Sequence, residues 1–272
     1  MEESHSRHLL QPLLPPSAAA SDHVKPISSN AGITSRLFLV AFIGLVSIWA
    51  NHEASKGYAI TLVNESATTF AGARFQLFYV ANEEATRVVI KASNSIENFL
   101  YPHSHSSIKK PIESVTIKLA DRNLTDNVVV EPGSGQDQFV LNISPSIMGG
   151  TNFGHDVDVA LRRGVARMWL WDGQGRSPQN LINAIVEYLI NILENGSIEL
   201  LEPTTAVCWD PNDGRAVAEF VNHGERRRPG FIRRLNRAMK DGWNDEKLGA
   251  ALGMSVHKCA TSESLRYNSS SV

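Results

Sequence analysis

The chain has 272 residues, of which 42% are hydrophobic and 20% are charged, and its formal net charge is -2 at pH 7. These values are typical of one medium-sized globular domain with flanking segments. A nearly neutral chain has no overall attraction to polyanions, so the composition gives no reason to expect a nucleic-acid-binding protein. Two cysteines, Cys208 and Cys259, exclude a scaffold of several disulfides, and they leave open one bridge or two separate thiols.

The first 32 residues predict a disordered cytosolic tail. They are rich in Ser, Pro, Ala and His, and they lack a sustained apolar period. Such a segment cannot bury enough apolar surface to offset the entropy of ordering. Residues 262–272 predict a second, polar tail at the carboxyl end.

Residues 37–50 form the only long uncharged apolar run of the sequence. The run is shorter than the roughly 20 residues of a full membrane span, but Arg36 can snorkel at its boundary. With Lys25 also on the amino-terminal side, the pattern favours a type II signal anchor over 33–52, a cytosolic tail and a lumenal body. A cleaved signal peptide, which would give a secreted protein, and a buried core helix remain alternatives.

Five N-glycosylation sequons follow the apolar run and none precedes it. One or two would arise by chance in a chain of this length, so only their number carries weight. They support a lumenal or extracellular body, and the acceptor residues are Asn64, Asn123, Asn142, Asn195 and Asn268.

The body, residues 57–261, begins with a half that is rich in strands. Alternating and β-branched residues predict strands at 58–63, 114–119, 126–130 and 138–143, and an amphipathic pattern predicts a helix over 81–100. A helical half follows. This order predicts an α+β domain in which helices pack on one mostly antiparallel sheet.

The central stretch of the chain predicts two helices that meet across a short turn. Leu161, Val165 and Trp169 recur at helical spacing within 159–171. The Asp-Gly-Gln-Gly sequence at 172–175 ends that helix, and a second helix begins near Pro178, at a position that tolerates proline.

The Trp-Leu-Trp-Asp-Gly-Gln-Gly motif at 169–175 and the residues at 181–188 resemble the plant basic secretory protein family, a group of zincin-like metallopeptidases. The resemblance continues through Cys208-Trp209-Asp210, 231–243 and 248–256. It therefore extends from near Tyr58 to Cys259, and it implies a zincin-like metallopeptidase domain over 57–261.

In this family a His-Glu-x-x-His signature holds zinc and supplies the general base, and it falls here on Arg163, Gly164 and Arg167. A guanidinium has no lone pair with which to bind a metal, and glycine has no carboxylate. The family's further acidic ligand falls on Glu187, and an acidic residue four positions earlier falls on Asn183. We therefore expect a degenerate site, no catalytic residue, no cofactor, and loss of the zinc bound by the resembled family.

Two roles remain open for the arginines. Arg163 and Arg167 can form a cluster with Glu187 in which a guanidinium takes the structural place of the metal. Alternatively, they belong to a solvated helix face, which is the usual role of charges at helical spacing.

A basic stretch near the carboxyl end, residues 226–237, raises the question of nucleic-acid binding. Its arginines alternate with the apolar stripe of one helix, which includes Phe231 and Leu235. We interpret the stretch as an ordinary solvated face, and we expect no nucleic-acid partner.

Two functions follow from these predictions. The first is a membrane-anchored, catalytically inactive homologue that binds protein, peptide or glycan through the former active-site cleft, and the expected cleft-lining residues are Trp169, Trp171, Asn183 and Tyr188. The alternative is an active secretory-pathway peptidase, with a role in plant defence, that uses a relocated metal site. The candidate groups for that site are Glu187, His155, His223 and Asp210.

Overall fold

A computed structural model describes residues 30–55, 57–102, 109–195 and 208–259, and the chain divides into two units, Met1–Ser55 and Lys56–Val272. The described part of the first unit is helix α1, Asn30–Ser55. In the described ranges, no helix combines the length and hydropathy that are needed to cross a membrane. The signal anchor over 33–52 stays a prediction from the sequence, and both predicted tails lie outside the described residues.

The second unit starts with strand β1, Ala59–Asn64, which is followed by helix α2, Phe70–Phe75, and a π-helical turn, Gln76–Val80. Helix α3 spans Glu84–Leu100. It begins three residues later than predicted because Glu83 adopts a left-handed backbone with φ of 58°. Thr69 caps the amino end of α2, since its hydroxyl accepts a hydrogen bond from the Gly72 backbone N–H at 3.0 Å.

The remaining strands are β2, Ser114–Leu119; β3, Val128–Pro132; and β4, Gln138–Ile143. The sheet order is β1-β2-β4-β3. Strand β2 runs parallel to both β1 and β4, and only β3 and β4 are antiparallel.

The prediction of a mostly antiparallel sheet is therefore wrong. Helices α2 and α3 carry the chain back between β1 and β2, so these strands point in the same direction. Strand β4 pairs with β3 along one edge and with β2 along the other. In the parallel β2–β4 pair, Ile117 lies opposite Leu141. The domain is α+β with a mixed sheet.

The helical half contains five helices in its described part. After a 3₁₀ turn, Pro145–Gly149, these are α4, Phe153–Trp169; α5, Gln179–Asn195; α6, Gly214–Arg227; α7, Phe231–Met239; and α8, Glu246–Leu252. Helix α4 lies at the centre, where it contacts β3, β4, α3 and α5. It ends at Trp169 because Leu170 takes an extended backbone, with ψ of 142°.

A disulfide joins Cys208 to Cys259, with their Cα atoms 4.9 Å apart. Beside it, the Trp209 backbone N–H donates to the His257 carbonyl at 2.8 Å, and the Cys259 N–H donates to the Trp209 carbonyl at 3.1 Å. The Trp209 side chain is buried and packs against Phe220, with 5.3 Å between the ring centroids. The segment before α6 is thereby tied to the segment after α8.

Candidate functional site

Arg163 and Arg167, at two of the three positions of the family signature, line an open groove of about 360 Å³. Its walls come from α4, from α5 and from the chain that enters β3, and we call it the α4–α5 groove. Its lining residues are Thr125, Asp126, Asn127, Val128, Arg163, Arg167, Asn183 and Glu187. The structure thus brings together the two arginines of α4 and the two polar residues of α5 that the sequence placed at the degenerate site.

Arg163 and Glu187 form a two-pronged ion pair across the groove. The Arg163 Nε donates to one carboxylate oxygen at 2.8 Å, and Nη2 donates to the other at 2.9 Å. The hydrogen bonds to the Glu187 carboxylate raise the pKa of the Arg163 guanidinium. The side chains are 36% and 51% exposed, so the pair fixes geometry more than it stabilises the fold.

Arg167 has a different kind of partner. Its Nη2 donates to the Asn183 amide oxygen at 2.9 Å, and the same oxygen accepts a hydrogen bond from Gln179 at 3.1 Å. The Arg167 Nε is buried without a hydrogen-bond partner. In the described part of the chain, no carboxylate lies within ion-pair distance of this guanidinium.

Gly164 lies on the buried side of α4, against the sheet. A β-carbon at this position would lie 2.9 Å from the Leu141 Cδ2 and 3.2 Å from the Val128 Cγ2. Both neighbours are buried core residues. The glycine therefore allows close packing of α4 on β3 and β4, and no space remains for the glutamate that the family signature carries here.

The groove does not suit zinc, which proteins bind through imidazole, thiolate or carboxylate groups. Arg163 and Arg167 offer only donors, and Glu187 is already bonded through both oxygens. Asp126 is the other carboxylate of the lining, and one free carboxylate does not make a zinc site. Across the described ranges, no three His, Cys, Asp or Glu side chains lie close enough together to hold a metal ion. The groove residues can instead donate hydrogen bonds to an anionic or carbonyl group.

The groups considered for a relocated metal site do not converge with Glu187 within the described part of the chain. His155 lies in the first turn of α4, and His223 lies on α6. The Asp210 carboxylate accepts a hydrogen bond from the Asn212 N–H at 3.0 Å in the turn before α6.

The prediction that aromatic side chains line the cleft is wrong, and two of the three residues are buried. Trp169 is 1% exposed and donates from its indole N–H to the Ser93 hydroxyl at 2.6 Å. It lies two positions after Arg167, about 200° around the helix, and so faces the core. Tyr188 is also buried, with its ring 6.2 Å from that of Phe99.

Of the other two predicted cleft residues, Asn183 lines the groove and Trp171 does not. The Trp171 ring lies beside two lysines, with 5.4 Å from its centroid to the Lys110 Nζ and 5.8 Å to the Lys240 Nζ. Its place is fixed by a backbone hydrogen bond to Asn236.

Asn236 on α7 is a fully buried polar residue that holds the turn after α4. Its Nδ2 donates to the Tyr101 hydroxyl at 2.9 Å, and its Oδ1 accepts from the Trp171 N–H at 2.9 Å. The Tyr101 hydroxyl in turn donates to the Trp169 carbonyl at 3.1 Å. Sequence reasoning missed this network, although an asparagine within the apolar stripe of α7 was a signal.

Lys110 was also missed, and it lies at the carboxyl end of α4. Its Nζ donates to the Leu170 carbonyl at 2.6 Å and lies 4.9 Å from the Phe139 ring centroid. A cation at this end of a helix is favourable, because the helix dipole is negative there. Burial nevertheless lowers the pKa of Lys110 to about 8, against the opposing charges of Asp172 and Asp137.

We expect this lysine to make stability depend on pH. Its pKa in the folded state lies below the ordinary value of 10.5, so between pH 8 and 10.5 the unfolded chain binds more protons than the folded chain. The free energy of unfolding of the natural protein should therefore rise, relative to that of a Lys110→Met variant, as the pH increases through this range. Urea denaturation at several pH values measures the difference.

A Lys91→Met variant is the control for this pH experiment, because Lys91 is an exposed lysine on α3. It measures what the loss of one exposed lysine does to stability over the same pH range. If the difference for Lys110→Met follows that for Lys91→Met at every pH, the expectation for Lys110 is wrong.

The predicted glycosylation sites differ in how exposed their asparagine side chains are. Asn142 is 5% exposed within β4, and its Nδ2 donates to Glu131 at 2.7 Å, so a glycan there is incompatible with the fold and this prediction is wrong. The Asn64 Nδ2 donates to the Gly72 carbonyl at 2.9 Å. Asn123 is exposed. The Asn195 side chain and Asn268 lie outside what the structure describes.

The basic stretch near α7 holds the helical half together. Arg234 Nε donates to the Ala251 carbonyl at 2.9 Å, and Arg228 Nη1 donates to the same carbonyl at 3.2 Å. Both arginines therefore bind the carboxyl end of α8, where the helix dipole favours positive charge. Their positions have a structural reason that requires no anionic partner.

Comparison with known proteins adds one finding. No curated protein and no solved structure matches the chain. A family model described as "Peptidase of plants and bacteria" matches residues 55–261, which include all of the α4–α5 groove. By this match and the motifs at 169–175 and 181–188, the chain belongs to the basic secretory protein family of plant and bacterial peptidases.

Proposed function

We propose that this chain is a catalytically inactive member of its family that binds a protein, peptide or glycan through the α4–α5 groove. The observation that carries the proposal is the two-pronged pair of Arg163 with Glu187, which occupies the place of two zinc ligands. The pair links α4 to α5 directly, so the two helices need no metal to hold them. An open, polar groove remains, and its groups can bind without hydrolysing.

The lost general base supports the same proposal. Even with a metal in the groove, water attack on a peptide carbonyl requires a group that accepts a proton. Position 164 supplies none, and its packing against Leu141 and Val128 keeps other side chains away from it.

The proposal includes a location. The apolar run at 37–50 would anchor the chain in a membrane of the secretory pathway, with the body on the lumenal or extracellular side. Secretion after signal cleavage is the alternative. The exposed sequon at Asn123 is accessible to a glycan in the folded body.

Zinc content and peptide hydrolysis test the proposal. We expect the purified natural chain, prepared without chelator, to contain no stoichiometric zinc and to leave peptide substrates intact. An Arg163→His, Arg167→His variant should bind zinc through two imidazoles and Glu187, because it regains three ligands. It should still not hydrolyse peptides, because position 164 lacks the carboxylate that serves as base in the family signature.

A further variant that also carries Gly164→Glu serves as a comparison. Its new side chain must displace Leu141, so we expect it to unfold at lower urea concentration than the double variant. Stoichiometric zinc together with hydrolysis in the natural chain would contradict the proposal and would favour an active peptidase with a relocated site.

A further inference from the structure

We propose that Arg167 is the recognition group of the α4–α5 groove and that it binds a carboxylate of a peptide ligand. This inference rests on the proposed function and names the ligand chemistry of the groove. The carboxylate is either the side chain of an acidic residue or the carboxyl terminus of the peptide.

Charge balance on α4 distinguishes Arg167 from its neighbours. Arg162 is paired with Glu194 at 3.3 Å, and Arg163 is paired with Glu187. In the described part of the chain, Arg167 is bonded only to a neutral amide, that of Asn183. Asp126 also lines the groove, but no carboxylate of the described residues lies within ion-pair distance of the Arg167 guanidinium, so this charge has no direct partner.

The hydrogen bonds of Arg167 are incomplete as well. Its Nε is buried without a partner, and the Asn183 oxygen that it contacts is shared with Gln179. A partly buried guanidinium in this condition loses water contacts that the protein does not replace. A bound carboxylate, which has two oxygens in one plane, is the group that best matches a guanidinium in both charge and shape.

The remaining walls of the groove indicate a peptide rather than a glycan. Thr125, Asp126 and Asn127 are exposed polar residues at its rim, and Asp126 is the acidic one. Val128, the first residue of β3, lies in the wall. Strand β3 is at the edge of the sheet, beyond β4. An extended peptide can pair with such an edge, whereas a glycan has no backbone with which to do so.

The test uses the full chain labelled with ¹⁵N, so that the arginine Nε–H signals can be observed by NMR. The first pair of probes is an acetylated alanine peptide with a free carboxyl terminus and the same peptide amidated. The second pair consists of amidated peptides that differ only in a central Glu or Gln. We expect a probe with a carboxylate to shift the Arg167 signal. The pair of probes in which only the carboxylate member shifts it shows whether the groove binds a carboxyl terminus or an acidic side chain.

An Arg167→Gln variant should bind the carboxylate probe about tenfold more weakly or worse, because a charge-assisted contact is lost. Arg167→Lys, which keeps the charge without the paired donors, should bind with intermediate affinity. Arg215→Gln is the matched control, since Arg215 lies on the exposed side of α6 and its loss changes net charge equally. A ¹⁵N spectrum of each variant reports whether it is folded.

The possible failures are distinct. Equal binding of carboxylate and neutral peptides, unaffected by Arg167→Gln, would overturn the inference and leave the groove as a peptide site. Groove signals that shift with a neutral oligosaccharide but with no peptide would overturn it in favour of a glycan. If neither peptides nor oligosaccharides shift any groove signal, both the inference and binding through the groove are overturned.

Discussion

Replacement of both Cys208 and Cys259 by serine is expected to lower the free energy of unfolding by about 4 kcal/mol. The bridge joins residues that are 51 positions apart. Without it the unfolded chain regains the freedom of that long loop, while the folded chain keeps most of its contacts. Urea denaturation of the double variant and the natural protein, under conditions that preserve the bridge, measures the loss.

Reduction provides the control for the disulfide experiment. A thiol reductant should bring the natural protein to the stability of the double variant, and it should leave the variant unchanged. A loss below about 1 kcal/mol would contradict the expectation. It would show that the packing of Trp209 on Phe220 and the hydrogen bond to His257 hold this segment without covalent help.

An Asn236→Leu variant is expected to lose about 3 kcal/mol of stability, because two polar groups each lose a hydrogen bond to Asn236 and the loss of such a bond in the interior costs roughly 1–3 kcal/mol. These groups are the Trp171 backbone N–H and the Tyr101 hydroxyl. Leucine has the same number and branching of side-chain heavy atoms as asparagine, so the substitution opens no cavity. The measurement is again urea denaturation.

A double-mutant cycle with Tyr101→Phe identifies the cause of this loss. If the hydrogen-bonded network is responsible, the combined variant should be less destabilised than the sum of the two single variants. Additive effects would instead mean that Asn236 and Tyr101 act separately. The two residues are 135 positions apart in sequence, so coupling between them can come only from the folded structure.

The strands were the part of the fold that the sequence predicted best. Residues 114–119 and 138–143 have the predicted bounds, because alternating apolar residues mark a strand locally. Strand direction was not predictable in the same way. It depends on which edge of β4 pairs with β3, and the order of a strand-rich half before a helical half does not determine that.

The part of the candidate site that lies on α4 and α5 could be predicted from the sequence. The spacing of Arg163 and Arg167, together with a resemblance that places Glu187 in the next helix, was enough to propose the cluster. The aromatic residues were assigned to the wrong face, since Trp169 lies in the core. Lys110 was not found, because its partner Leu170 is 60 positions away in sequence.

Gly164 has a consequence for the engineering of this chain. Leu141 and Val128 fill the space that a side chain at 164 requires, so the effect of a glutamate there depends on which residues already stand at those two positions. This dependence is epistasis, and it sets an order for re-engineering the site. A smaller residue at 141 should come before a glutamate at 164, and we expect zinc ligands introduced alone to give a metal-binding protein without peptide hydrolysis.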